Sequence, residues 1–199
     1  MQASAPGPTR LIVGISGASG VIYGIRMLQV LRTLGVETHL VMSKSAQVTL
    51  THESDMSVAE LKALADVSYS NTDIGAAISS GSFKMAGMVV APCSIKTLSE
   101  IATGVTSSLL SRAADVTLKE RRRLVLMVRE TPLHLGHLRS MTAATEAGAI
   151  ICPPVPAFYA RPGSLDEMID HTVGRVLDLF SIDTGLVTRW NPRPIAASD

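Results

Sequence analysis

Five short apolar runs recur along this chain, at residues 10–15, 36–42, 85–91, 124–128 and 149–152. Each is rich in Val, Ile, Leu or Met, and each gives way to Gly, Ser, Arg or Pro, residues that turn the backbone or bring polar groups to it. Between them lie longer segments whose apolar residues fall three or four apart, as in Ile22, Ile25, Leu28 and Leu31. Strands separated by helices pair in parallel through crossovers, and a parallel sheet must be covered on both faces. The pattern predicts one three-layer α/β domain around a mostly parallel sheet of five or six strands.

Helices are expected at 21–34, stopped by Gly35, and at 43–50. Ser57 with Glu60 is a candidate capping box opening a helix to Ala65. Further helices are expected at 94–102 and 107–118, joined at Gly104, and at 134–147, stopped by Gly148. Ser164 with Glu167 is a second candidate box, opening a helix to about Phe180. Residues 67–84 are polar and Gly/Ser-rich and read as a loop. Residues 1–10 and 191–199 read as loose tails around a domain at 11–190.

Of the 199 residues, 46% are hydrophobic and 18% charged, which excludes disorder as the main state. A net charge of +1 gives no electrostatic basis for binding nucleic acid. No stretch approaches the ~20 apolar residues that span a bilayer, and nothing before Leu11 resembles a signal peptide. A soluble, cytoplasmic protein is expected. Cys93 and Cys152 are too few for a disulfide framework or a four-ligand zinc site, and read as buried thiols.

In an open parallel sheet, ligands bind beyond the carboxyl ends of the strands. Five segments should share that rim: Ser16 to Gly20, Ser43 to Ser45, Pro92 to Thr97, Arg129 to Pro132, and Pro153 to Tyr159. Gly14, Gly17 and Gly20 do not have the dinucleotide or Walker spacing. No acidic residue ends the second strand to grip an NAD ribose. The hydroxyls of Ser19, Ser43, Ser94 and Thr97 suit a phosphate and ribityl chain, which favours a mononucleotide such as FMN. No cluster has metal-ligand spacing, so no metal is expected.

Seven motifs in order resemble one family. They are Gly14-Ile-Ser-Gly-Ala-Ser-Gly20, Met42-Ser43-Lys44, Pro92-Cys93-Ser94-x-Lys96-Thr97-Leu98, Arg112-Ala-Ala-Asp-Val116, Leu118-Lys119-Glu120-Arg121, Val128-Arg129-Glu130-x-Pro132 and Pro156-x-Phe158-Tyr159. From about Leu11 to Trp190 the chain resembles the flavin prenyltransferases of the UbiX type, in particular the branch associated with hydroxyarylic acid decarboxylases. The resemblance implies a flavodoxin-like/Rossmann-like fold and a homododecamer with its active site at a subunit interface. The implied reaction joins a dimethylallyl group from dimethylallyl monophosphate to N5 and C6 of reduced FMN. The product, prenylated FMN, serves a separate UbiD-type decarboxylase.

The same resemblance places FMN on Gly17, Ala18, Ser19, Ser43, Ser94, Ile95, Lys96, Thr97 and Arg129. It places the prenyl phosphate on Lys119, Arg129, Glu130, Tyr159 and Arg175. Convergent cations suit a leaving phosphate whose charge grows as its C–O bond breaks. Glu130 is implied to exchange a proton with that phosphate, Glu53 to act as base in the flavin steps, and Trp190 to cover the prenyl group with its π face. Taken alone, Glu53, Arg175 and the run from Lys119 to Arg123 would read as solvated surface, and Trp190 as packing or an oligomer contact. His52 is an alternative base that the family pattern does not use. The chain has Arg139 and Ser140 where members often have Glu and Asn, and no tryptophan at 68–79. Two other activities fit the same fold class: a flavin-dependent cysteine decarboxylase, and a non-catalytic flavin-binding subunit of a decarboxylase complex.

Overall fold

β1 (Arg10–Ile15) is buried from Leu11 onward, which is possible only for a strand with neighbours on both sides and layers on both faces. It lies between β2 (Glu37–Met42) and β4 (Gly87–Cys93). β3 (Val67–Tyr69) pairs with β2, β5 (Arg123–Val128) with β4, and β6 (Ile150–Ile151) with β5. All pairings are parallel, in the order β3-β2-β1-β4-β5-β6. This is the expected doubly wound fold. The direction of winding reverses between β1 and β4, and that is where such sheets open a crevice.

The structure is a computed structural model describing residues 9–191. The chain divides into two compact units, with the boundary between Pro154 and Val155. The first carries the sheet with α1 (Val21–Thr33), α2 (Lys44–Glu53), α3 (Val58–Ala63), α4 (Ile95–Thr103), α5 (Leu109–Lys119) and α6 (Leu135–Glu146). Ile12, Met88, Val90, Leu124 and Leu126 share one core with Leu98, Ile101, Leu110, Ala113 and Ala144. That face is therefore covered by α4, α5 and α6. Leu11, Val13 and Ile15 alternate to the other face and are equally buried; α1 packs against β1, β2 and β4 outside the first core. Each such buried side chain contributes roughly 1.5–3 kcal/mol relative to exposure.

β3 falls in the segment expected as a loop. It has three residues with Ser68 at its centre, too short for alternation to show in sequence. β4 runs past its expected end at Ala91 to Cys93. Pro92 has no N–H for the ladder, and the pairing with β5 skips from Val90 to Cys93. The box at Ser57 and Glu60 is present. The one at Ser164 is half-formed: its hydroxyl accepts from the Glu167 N–H, but the Glu167 carboxylate takes the Gly163 N–H at 2.7 Å. Cys93 is buried, and burial pushes its thiol pKa up, so it is no nucleophile. Cys152 is only partly buried, contrary to expectation, because β6 is a two-residue edge strand.

The second unit contains a 3-10 turn (Phe158–Ala160), α7 (Leu165–Asp178) and the segment that follows to Asn191. Ile169, Val173, Val176 and Leu177 form the buried stripe of α7. Arg10, where the expected tail and the expected first strand overlapped, is the first residue of β1. Apart from Thr9, Arg10 and Asn191, both expected tails lie outside the described residues. No described helix is long and apolar enough to cross a membrane.

Candidate functional site

Ser16 ties together the loops that leave β1 and β4. Its Oγ accepts the Ser94 N–H at 2.7 Å and donates to the Pro92 carbonyl at 3.0 Å. The Ser43 N–H donates to the Ile15 carbonyl at 2.9 Å, and the Arg129 N–H to the Cys93 carbonyl at 3.1 Å. Four strand ends are thereby set side by side. Between them lies a cleft of about 420 Å³. Of the expected site residues, Gly17, Ser43, Ser94, Ile95, Lys96, Thr97 and Glu130 line it. Asn71 also lines it, although sequence reasoning placed it in a featureless loop; its side chain accepts the Leu110 N–H at 3.0 Å and so braces α5. A neighbouring cleft of about 330 Å³ beyond β2 and β3 shares Lys44 and Asn71.

The cleft is built from helix beginnings. Ser43 caps α2, accepting from the Ala46 N–H at 3.0 Å, and Ser94 caps α4, accepting from the Thr97 N–H at 3.3 Å. The first N–H groups of a helix have no partner within it, so both ends favour an anion or a carbonyl. At Gly17 an added Cβ would lie 2.3 Å from the Ser45 Cβ, so the backbone there comes as close as glycine permits. Lys96 is ion-paired along α4 with Glu100 at 2.6 Å, and Thr97 is only 5% exposed. What α4 offers the cleft is therefore chiefly backbone N–H. Hydroxyls, open N–H groups and a glycine-lined wall fit the ribityl, phosphate and ring edge of FMN.

Glu53 ends α2 and reaches the start of α1. Its carboxylate accepts the Gly20 and Val21 N–H groups at 2.8 and 2.9 Å. Gly20 occupies the N-cap with φ 102° and has no side chain with which to cap, so Glu53 takes that role. Burial raises the Glu53 pKa, but the Ser19 hydroxyl, these two N–H groups and the Arg129 charge outweigh it and hold the carboxyl below its ordinary range. The structure thus brings Ser19, Glu53 and Arg129 together, with the Ala18 N–H turned back onto the Ser16 carbonyl at 2.9 Å. Glu130 accepts the N–H of Thr131 at 3.1 Å.

Lys119 stands apart from this cleft. α5 begins at the cleft with Ser108 and Leu110 and ends at Lys119, 11 residues or about 16 Å away. There Lys119 pairs with Glu120, against Gly81. Within one chain, Lys119 does not join Arg129 and Glu130.

Tyr159, Arg175 and Trp190 belong to the second unit. The Tyr159 ring meets Trp190 edge-to-face at 5.5 Å and His171 at 5.7 Å. Arg175 pairs with Asp178 at 2.7 Å. Asp178 also binds Arg189; that pairing, opposed by burial and assisted by Arg175, holds the Asp178 carboxyl below its usual range. Among the described residues, no three His, Cys, Asp or Glu side chains are grouped to hold a metal.

The Flavoprotein family model matches residues 3–175. The Escherichia coli K12 flavin prenyltransferase UbiX is 65% identical over 184 residues, covering 91% of this chain and 97% of its own. A crystal structure of AnUbiX (PadA1) in complex with FMN and dimethylallyl pyrophosphate superposes with a TM-score of 0.92 at 53% identity, covering 94% of this chain and 99% of the other. A dodecameric FMN-dependent UbiX-like decarboxylase from Escherichia coli O157:H7 gives 0.90 at 48%, covering 92% and 100%. Identity of this order along nearly the whole chain settles the relationship: the chain belongs to the flavoprotein family and, within it, to the UbiX-type flavin prenyltransferases.

Proposed function

We propose that this chain joins a dimethylallyl group, supplied as dimethylallyl monophosphate, to N5 and C6 of reduced FMN, with loss of phosphate. The observation that carries this is the hydroxyl- and N–H-lined cleft at the β1/β4 switch point, with Glu130 on its wall. Reduced flavin supplies the nucleophilic nitrogen and carbon. Gly17, Ala18, Ser19, Ser43 and the start of α4 from Ser94 to Thr97 hold it, and Arg129 adds charge beside Ser19 and Glu53. Glu130 hands a proton to the departing phosphate. Glu53, ionised and held by hydrogen bonds, accepts a proton from the flavin side. Tyr159, Arg175 and Lys119 grip the phosphate, and Trp190 covers the prenyl chain. Lys119 lies at the other end of α5, so its contribution comes from a second copy, as in a homododecamer with shared active sites.

The product, prenylated FMN, passes to a UbiD-type decarboxylase. The ingredients are charged and do not cross a bilayer unaided, which supports a cytoplasmic location for the enzyme. The test is a mass spectrum of the flavin after anaerobic incubation with reduced FMN and either dimethylallyl monophosphate or the diphosphate. A mass gain of one prenyl group, faster with the monophosphate, is the expected result; unchanged FMN with both donors overturns the proposal.

A further inference from the structure

His171, Arg175 and Asp178 follow one another at spacings of four and three along α7, so they occupy one stripe of that helix. The 3-10 turn and the segment after α7 fold over this stripe. Tyr159 lies on His171, Arg189 on Asp178, and Trp190 against Tyr159.

Asp178 is shared by two guanidinium groups. Arg175 Nη1 donates to its Oδ2 at 2.7 Å; Arg189 donates from Nη2 to Oδ1 at 2.9 Å and from Nη1 to Oδ2. Asp183 lies farther from Arg189, at 3.7 Å. A guanidinium carries five N–H donors, so most of the pair's donors are not used on Asp178. His171 is buried, and its Nε2 lies 3.3 Å from the Tyr159 hydroxyl and 3.4 Å from the Thr188 carbonyl. A carbonyl only accepts, so this nitrogen carries the proton, and the Tyr159 oxygen accepts from it. The Tyr159 O–H is then left to donate elsewhere. Beside these donors, Trp190 and Phe158 are 69% and 74% exposed. Clustered phosphate donors next to exposed aromatic faces suit a small ligand with an anionic head and a short apolar tail.

We propose that Arg189 is a phosphate-binding residue for the prenyl donor, acting with Arg175 and the Tyr159 hydroxyl, and that Asp178 and His171 are the positioning residues that hold these three donors on one face. The proposal rests on the prenyl-transfer reading above and adds three residues to it.

The test is calorimetric titration of the FMN-loaded oligomer, without reductant, using dimethylallyl monophosphate in one arm and inorganic phosphate in the other. Arg189→Ala is expected to weaken both ligands about ten- to a hundredfold, the range of a lost charge-assisted pair, with Arg189→Lys between it and wild type. Asp178→Asn is expected to weaken the monophosphate although it adds net positive charge, the reverse of what bulk electrostatics would give. His171→Leu is expected to weaken binding in the wild type and to add nothing in a Tyr159→Phe background, with His171→Gln restoring part of the loss. Arg189→Ala and Arg189→Lys that both bind the monophosphate like wild type overturn the proposal, whatever their melting temperatures, because Arg189 is then a tether only. Wild-type protein that binds neither phosphate overturns it as well. Monophosphate binding that depends on Arg189, but with no prenylated flavin formed on reduction, upholds the phosphate site and refutes the reaction.

Discussion

Glu53 closes the start of α1 at Gly20, whose N–H it accepts at 2.8 Å, from the far end of a different helix. The residue implied as a base is therefore also a cap. Its carboxylate offsets the positive end of the α1 dipole, and the same N–H groups that keep it ionised restrict where it can move.

Glu53→Gln keeps an oxygen to accept from Gly20 but loses the charge and the proton-accepting power. FMN binding should persist, while prenylated flavin forms ~10²–10⁴-fold more slowly, the usual cost of a lost base. Stopped-flow absorbance of reduced FMN after adding donor measures this. A wild-type rate would leave Glu53 with only its capping role.

The lowered pKa of Glu53 has a sign that stability can read. A carboxyl held below its ordinary value of 4.5 stabilises the fold fully above that value, and the contribution is lost as pH falls through the lowered one. The melting temperature of wild type should exceed that of Glu53→Gln at pH 6, and the gap should close as pH falls below 4.5 and through the lowered value. A gap that is constant across this range would show that the carboxylate's charge does not matter to the cap.

Gly17→Ala places a methyl 2.3 Å from the Ser45 Cβ, between two loops whose backbones are tied down. The loop from Ser16 to Gly20 must shift away from the cleft wall. FMN affinity should fall at least about tenfold, which fluorescence titration of the flavin measures, with circular dichroism of the apoprotein largely preserved. Undiminished affinity would mean that this loop does not contact the flavin.

The sheet, its helices and the rim segments around the β1/β4 cleft were legible in the sequence because each depends on local pattern, apolar runs at strand and helix spacing and the rule that ligands sit beyond strand ends, while Ile95, Lys96 and Glu130 were named as site residues only by the family resemblance. Ser43 and Ser94 were visible as hydroxyls, and the structure adds that both are N-caps. β3 was not legible, because three residues around a serine carry no period. Asn71 was hidden by the same segment. The second role of Glu53 was invisible because its partners lie more than thirty residues away. The placement of Lys119 was hidden differently: the motif names the residue, but only the length of α5 shows which end of the fold it occupies.

That length leads to the last prediction. Lys119 and Glu130 lie at opposite ends of the span from the start of α5 to its end, so a site that uses both takes Lys119 from another copy of the chain. Lys119→Ala alone should raise the apparent KM for the donor, because a phosphate contact is lost; Glu130→Gln alone should lower kcat, because the leaving phosphate goes unprotonated. Chains of the two variants, co-expressed with different tags and purified as mixed oligomers, re-create intact sites wherever a Lys119→Ala chain supplies the cleft and a Glu130→Gln chain supplies the lysine. Random assembly makes about a quarter of sites intact when one neighbour completes each cleft. Prenylated flavin should therefore form at about a quarter of the wild-type rate at low donor concentration, well above the mean of the two parent oligomers. A mixed oligomer no faster than that mean would place Lys119 and Glu130 in the same chain's chemistry, or remove Lys119 from the site altogether.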